Sequence, residues 1–405
     1  MAPQVRQRFE LLDPDVLRDP YPTYAQMRET APVWWDEGMQ AWLVTRYADA
    51  VKCFLDDRLS ADINHLYFGL LDDDVHEELL PLQRFYEQWM VFSDPPYQSR
   101  LRKVLHRAFT PAAVAVYRGD LEALAARLLD PIRERGEADL VRDFAVPYST
   151  GALRLLFGVR ERDFERLAHW SDHLIGFIST GRPIPERGRD TYAQLVEMRR
   201  FLRLLVEERA AGGDGSGVFD VMVEAMADGS MSEDGFVATF AQLMTGGISP
   251  VTHALGTGTL ALLRAPDELE RLRSDPSLMR PAVEEVHRYD PAFQLGPRMA
   301  KVDLELGGEE IGAGQRVLLV LGAANRDPAR FADPDRLDVG RADNRHLSFG
   351  LGHHYCLGAA LSRLEVQVAL SALLERLPRL RLAGDAPRAP YFGVAALERL
   401  PVATG

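Results

Sequence analysis

The stretch HLSFGLGHHYCLGAALSRLE, residues 346–365, decides how the rest of the chain is read. Gly350 and Gly352 open a loop that ends at Cys356, and apolar residues at helical spacing begin directly after it. A cysteine at a helix start has its thiolate stabilised by the helix dipole and by backbone N–H groups that lack an intrahelical partner. Glycine at 350, 352 and 358 removes side chains where a flat, bulky group needs close approach to the backbone. A thiolate beneath a flat cofactor is the arrangement that ligates haem iron. Taken without the glycines, Cys356 is a small buried residue at a helix start, or half of a nucleophilic pair with His353 or His354. Neither alternative accounts for the glycine pattern.

Outward from this loop, helical periodicity dominates. DLEALAARLLDPIRER, DTYAQLVEMRRFLRLLVEERAA, GFVATFAQL and LGAALSRLEVQVALSALLERL all repeat apolar residues at three- and four-residue steps. Strand signals are few and short: AWLVTR, VDLELGGEEIGAGQRVLLVLGAAN and LRLAG. The pattern predicts a mainly α fold with a small β portion, in a single domain over residues 1–405. AAGGDGSG, residues 210–217, reads as an exposed loop between two helices. Ser232 followed by Glu233 and Asp234 marks a helix start, so the helix that follows runs from near 232 to about Arg264.

Composition narrows the function. Of 405 residues, 46% are hydrophobic and 26% charged, enough for a sizeable core. With 47 basic and 60 acidic side chains the net charge is −13, which argues against nucleic acid as a partner. A local basic patch facing an acidic protein remains compatible with it. Cys53 and Cys356, the two cysteines, lie in unlike contexts and form no disulfide framework, so a reducing compartment is expected. Cys53, in AVKCFLDD, reads as core. MAPQVRQRFELLDPDVL holds no apolar run suited to a signal peptide or anchor, so a cytoplasmic protein without membrane contact is expected.

A second stretch, MTGGISPVTHAL at 244–255, interrupts the longest apolar helix pattern. Proline in a helix interior removes one backbone hydrogen bond and costs roughly 3 kcal/mol. Its missing N–H leaves the Gly246 carbonyl without its helical donor, and its ring pushes Ser249 away from helical dihedrals. Gly246 and Gly247 each weaken the turn by roughly 1 kcal/mol relative to alanine. The expectation is a broken helix with a groove and a free carbonyl; a plain proline kink is the alternative.

FGLGHHYCLG resembles the haem-binding loop of the cytochrome P450 family, Phe-Gly-x-Gly-x-His-x-Cys-x-Gly. Phe349, Gly350, Gly352, His354, Cys356 and Gly358 all match. The resemblance implies a cytochrome P450 fold with haem b (iron protoporphyrin IX) between the long central helix and the cysteine-loop helix. Cys356 would be the axial thiolate and metal ligand, and His354 would contact a propionate. Glu285 and Arg288 in EEVHR match the family's Glu-x-x-Arg pair, and Arg298 and Arg102 match arginines that pair with propionates. Gln98 stands where a histidine is usual; it can donate a hydrogen bond to a propionate but carries no charge. The N-terminal DPYPTYAQMRETAPVW reads like a soluble bacterial member.

Against the family's Ala-Gly-x-(Asp/Glu)-Thr-(Thr/Ser) turn, residues 245–250 place Gly246 on the glycine and Ser249 on the alcohol. Ile248 stands where the acid is usual, and Pro250 has no usual counterpart. Gly246, Ser249 and Pro250 are therefore the candidate catalytic turn, with His253 one turn further on packing or facing the polar side. Phe85, Tyr86, Trp89, Thr245, Ile248, Phe293, Leu295 and Phe392 fall in segments that line the family's substrate pocket. Ordinary core is the alternative for the aromatics at helical spacing. The chain carries no flavin or iron–sulfur motif, so the resemblance implies ferredoxin and ferredoxin reductase as electron donors. Arg100, Lys103, Arg107 and Arg363 would form the basic face for that partner.

The reaction implied is monooxygenase chemistry of secondary metabolism, C–H hydroxylation of a small, largely apolar, ring-containing metabolite. Two alternatives stand beside it. The Gly-x-Ile-Ser turn also resembles members that couple phenols in cyclic dipeptides, so coupling or desaturation without oxygen insertion is one. A non-catalytic haem-binding sensor is the other, since Ile248 cannot relay protons.

Overall fold

The computed structural model describes residues 9–178, 183–211 and 217–405. Its axis is a helix of 32 residues, Glu233–Arg264, here called the central helix. Ser232 caps it: the side-chain oxygen accepts the Gly235 N–H at 3.0 Å, and Glu233 and Asp234 complement the dipole in the first turn. Residues 235–241 and 251–260 are buried almost without a break. Burial on all sides is what a helix enclosed by others requires. Its neighbours are Val146–Phe157, Glu161–Ile178, Met279–Tyr289 and Ala359–Arg376. The last of these, the cysteine helix, begins just after Cys356.

The central helix is not broken at Pro250, contrary to expectation. Residues 245–250 stay helical, Ser249 included. Packing holds it: Met244, Val251, Ala254 and Leu255 are buried on either side of the turn, and Ser149 and Thr252 share a buried hydrogen bond of 2.6 Å. Burying such side chains contributes roughly 1.5–3 kcal/mol each, enough to offset one lost backbone bond. Gly247 also has a packing reason: a Cβ there would lie 2.6 Å from Leu153 Cδ1 on the Val146–Phe157 helix.

The β portion forms a second layer. Strands β1 (Val33–Asp36), β2 (Ala41–Val44), β3 (Leu59–Ser60), β4 (Leu295–Ala300) and β5 (Arg316–Val320) form one sheet in the order β1-β2-β5-β4-β3. The β2–β5 pair is parallel, with Val44 opposite Leu319, and the other pairs are antiparallel. The Tyr47–Leu55 helix packs on this sheet and buries Cys53 in its core. Along β4, Gly296, Arg298 and Ala300 are buried while Leu295, Pro297 and Met299 are half-buried, so Arg298 and Leu295 face opposite ways.

A buried polar knot ties the segment before the cysteine loop to the core. Glu285 and Arg288 are both wholly buried, and the guanidinium donates to both carboxylate oxygens at 2.8 Å. Arg288 also reaches the Asn325 and Pro334 carbonyls, while Arg341, Asn344 and the Asp338 N–H converge on Glu285. This is far more than a solvated helix pair, because every charge finds several partners. The stretch 210–217 lies largely outside the described residues. Among the described residues, no helix is long and apolar enough to cross a membrane.

Candidate functional site

The cysteine loop is built by local backbone bonds. The Gly350 N–H reaches the Leu347 carbonyl at 2.8 Å, and the Cys356 N–H returns to Phe349 at 2.7 Å. Gly350 and Gly352 both adopt φ of 66°, a left-handed conformation that side-chain-bearing residues rarely take. Burial pushes the Cys356 thiol up, against the Gly358 N–H aimed at sulfur and the charges of Arg102 and Arg363. The helix start alone therefore does not make a thiolate here. A metal ion in place of the proton would.

Beside the loop lies a cationic edge. Arg298 is 7% exposed, its cation 5.1 Å from the centre of the Phe54 ring, and burial lowers its pKa. Its one hydrogen bond within the described chain runs to its neighbour's carbonyl, Pro297, at 2.7 Å. A buried guanidinium without a bonded carboxylate is costly and fits an anion carried in by a cofactor. His354 next to it is pushed down to about 4 by burial and then by Arg298, so it is neutral near pH 7.

On the central helix, Gly246 and Ser249 are exposed although the flanking stretches are buried. They are three residues apart and so share one face. A Cβ at Gly246 would meet nothing within 4 Å, and the same holds at Gly358 beside the cysteine. A thiol with an N–H on its sulfur, a cationic edge with no carboxylate hydrogen-bonded to Arg298 among the described residues, and open backbone at two glycines together fit a flat, anionic, iron-bearing ring.

The family model described as Cytochrome P450 matches residues 78–391. The chain belongs to the cytochrome P450 family. Cytochrome P450 107B1 of Saccharopolyspora erythraea is 34% identical over 401 residues, 96% of each protein. The 6-deoxyerythronolide B hydroxylase of the same organism is 37% identical, covering 91% of each. Among solved structures, the crystal structure of CalO2 superposes with a TM-score of 0.89 at 32% identity, covering 98% of both chains. P450BioI in complex with a fatty-acyl carrier protein follows with 0.88 at 31%, over 97% and 99%. This P450 is thus a haem b-dependent oxidoreductase of the monooxygenase class, with the mainly helical fold expected of it.

Several of the expected site residues have partners within the protein. Gln98 is 1% exposed, and its amide is committed within the protein: Nε2–H donates to the His353 carbonyl at 2.6 Å and Oε1 accepts from Ser99 Oγ at 3.1 Å. One of its two N–H donors and its oxygen are thus engaged by the cysteine loop and the neighbouring serine. Arg102 likewise binds the loop, donating to the Tyr355 carbonyl at 2.6 Å and to His353 at 3.4 Å. Phe85, Tyr86 and Trp89 are closed within an aromatic core with Phe68 and Phe177, at 2%, 0% and 2% exposure. Tyr86 O–H is bonded to the Leu174 carbonyl. Thr245 and Ile248 are half-buried, the former donating to Gln242 and the latter packing on the main core. Leu295 and Phe392 pack on the core around Tyr21 and Tyr24, while Phe293 is 45% exposed.

The basic face is also smaller than expected. Arg363 forms a two-pronged pair with Glu284 at 2.6 and 2.9 Å and lies over the Phe349 ring at 4.5 Å. Arg107 pairs with Glu224 at 2.6 Å. Arg100, Lys103 and His106 remain exposed on the Tyr97–His106 helix. His253 is pushed down to about 4 by burial and is uncharged near pH 7. Sequence reasoning missed Gln242, whose Oε1 accepts the Met90 N–H at 2.6 Å. Its place one turn before Gly246 was the available signal.

Proposed function

We propose that this P450 hydroxylates a C–H bond of a largely apolar, ring-containing secondary metabolite, with electrons from a ferredoxin reduced by ferredoxin reductase. The observation that carries the proposal is the open Gly246–Ser249 face on an otherwise buried helix, with a hydroxyl and a carbonyl that Pro250 has no N–H to bond, but no carboxylate. Two relatives support a macrolactone or polyketide substrate: 6-deoxyerythronolide B hydroxylase at 37% identity and the polyketide-biosynthesis P450 PksS at 33%.

Haem b, when bound, supplies dioxygen activation and C–H oxidation. The chain's own residues do the rest. Cys356 would hold the iron through its thiolate, and the Gly358 N–H would stabilise the sulfur. Arg298 and His354 would hold the cofactor's carboxylate edge. Pro250 cannot donate to the Gly246 carbonyl, which therefore accepts from water or from a substrate hydroxyl. Ser249 Oγ holds a proton on the same face and passes it inward. Arg100, Lys103 and His106 form the face that an acidic ferredoxin approaches on a chain of charge −13.

The test supplies the holoprotein with 6-deoxyerythronolide B, a ferredoxin, its reductase, NADPH and isotopically labelled dioxygen. A product heavier by one labelled oxygen atom supports hydroxylation. A product lighter by two hydrogens, without label, overturns it in favour of coupling or desaturation. That second reading has its own support: no acid stands at Ile248, and CxnD, a P450 for C–S bond formation, matches at 31% identity with a TM-score of 0.83. Absence of reductant consumption with the macrolactone bound would instead favour a sensor.

A further inference from the structure

The Tyr97–His106 helix meets the cysteine loop through two side chains one turn apart. Gln98 holds the His353 carbonyl at 2.6 Å, and Arg102 holds the Tyr355 carbonyl at 2.6 Å with a longer reach of 3.4 Å to His353. These two carbonyls flank His354 and lead directly into Cys356. Inside the loop, Gly350 and Gly352 provide turns but no side chains to anchor it. Its internal hold is the Cys356 N–H on Phe349 at 2.7 Å and the Tyr355 N–H on Gly352 at 3.1 Å. No other donor among the described residues reaches the His353 and Tyr355 carbonyls, so the helix side chains fix the direction in which the chain enters Cys356.

We propose that Gln98 is a positioning residue for the axial cysteine, acting as a neutral clamp on the loop rather than as a ligand of the haem carboxylates. A carboxamide suits this task because it donates to a carbonyl without adding charge beside the sulfur. A carboxylate of the same length would turn acceptor against acceptor. Arg102, one turn on, holds the next carbonyl but one, so the pair pins the two peptide planes that flank the His354–Tyr355 peptide and removes a rotation that either alone would leave. The inference rests on Cys356 as the iron ligand, which Cys356→Ala tests separately by loss of the thiolate-type spectrum of the reduced carbon monoxide complex.

The decisive experiment compares Gln98→Leu with the unaltered protein in two states. In the haem-free protein, hydrogen exchange at the Tyr355 and Cys356 amides is measured relative to amides of the central helix in the same sample, so any global destabilisation divides out. The clamp predicts a relative increase of about tenfold, the size of one hydrogen bond that a buried carbonyl has lost. In the holoprotein, the ferric–ferrous potential shifts and part of the thiolate-type carbon monoxide spectrum is lost. Gln98→His, which keeps an N–H donor, restores both readouts. An unchanged loop-to-helix exchange ratio overturns the proposal. So does faster haem transfer to apomyoglobin with loop exchange unaltered, the signature of a direct contact to the cofactor's carboxylates.

Discussion

Replacing Pro250 by alanine returns an N–H to the middle of the central helix and gives the Gly246 carbonyl a helical donor. Proline is about 3 kcal/mol worse than alanine in a helix interior. Its ring is half-buried, and losing roughly half the contact of two methylenes costs about 0.8 kcal/mol. The helix already runs unbroken through residue 250, so no rearrangement is needed. The expected outcome is a gain of about 2 kcal/mol in stability, read as a higher guanidinium midpoint at unchanged slope. If the carbonyl serves the reaction, that gain has a functional cost: less product per NADPH consumed, at unchanged haem content. A midpoint that does not rise would show that the helix around 250 has adapted to its missing bond. Unchanged product per NADPH in a stabilised variant would remove Gly246 from the proton route.

The remaining expectations concern charge and burial. Arg298→Gln should speed haem transfer to apomyoglobin by roughly 10- to 100-fold, the value of a charge-assisted hydrogen bond, and an unchanged rate would detach Arg298 from the cofactor. His253 and His287 fall from an ordinary 6.5 to about 4 and about 3, chiefly through burial. The unfolded chain therefore takes up protons before the folded one, and the urea midpoint should fall as pH drops from 6.5 towards 4. A flat profile across that window would refute both assignments. Glu365 is 2% exposed, and burial alone pushes its carboxyl well above the usual range. The folded state keeps a proton that the unfolded state releases, so Glu365→Gln should stabilise the protein more at pH 8 than at pH 5. Equal effects at the two values would mean the carboxylate is charged in place.

The cysteine loop was legible because its glycines carry a backbone requirement that spacing alone reveals, and Gly350 and Gly352 do take positive φ. The central helix was legible at its start because Ser232 and the acids after it form a local cap. AWLVTR and RVLLV gave adjacent strands for the same reason: their preference is local. Pro250 misled because a local cost was set against burial that only the assembled fold supplies. For Phe85, Tyr86 and Trp89 the sequence left two readings open, because helical spacing is the same for a core face and a pocket lining. Gln98 and Arg363 were placed on the right elements, but their hydrogen bonds go to residues far along the chain. A single sequence contains no local signal for such partners.

The bond from Gln98 to the His353 carbonyl joins residues 255 positions apart. In recombination between relatives, a crossover anywhere in that interval separates the helix side chains from the loop they hold. A chimera that takes its Tyr97–His106 segment from one parent and its 349–358 segment from another inherits an unmatched pair, however well each half folds. These two short segments behave as one unit of inheritance, and library designs that exchange blocks should move them together.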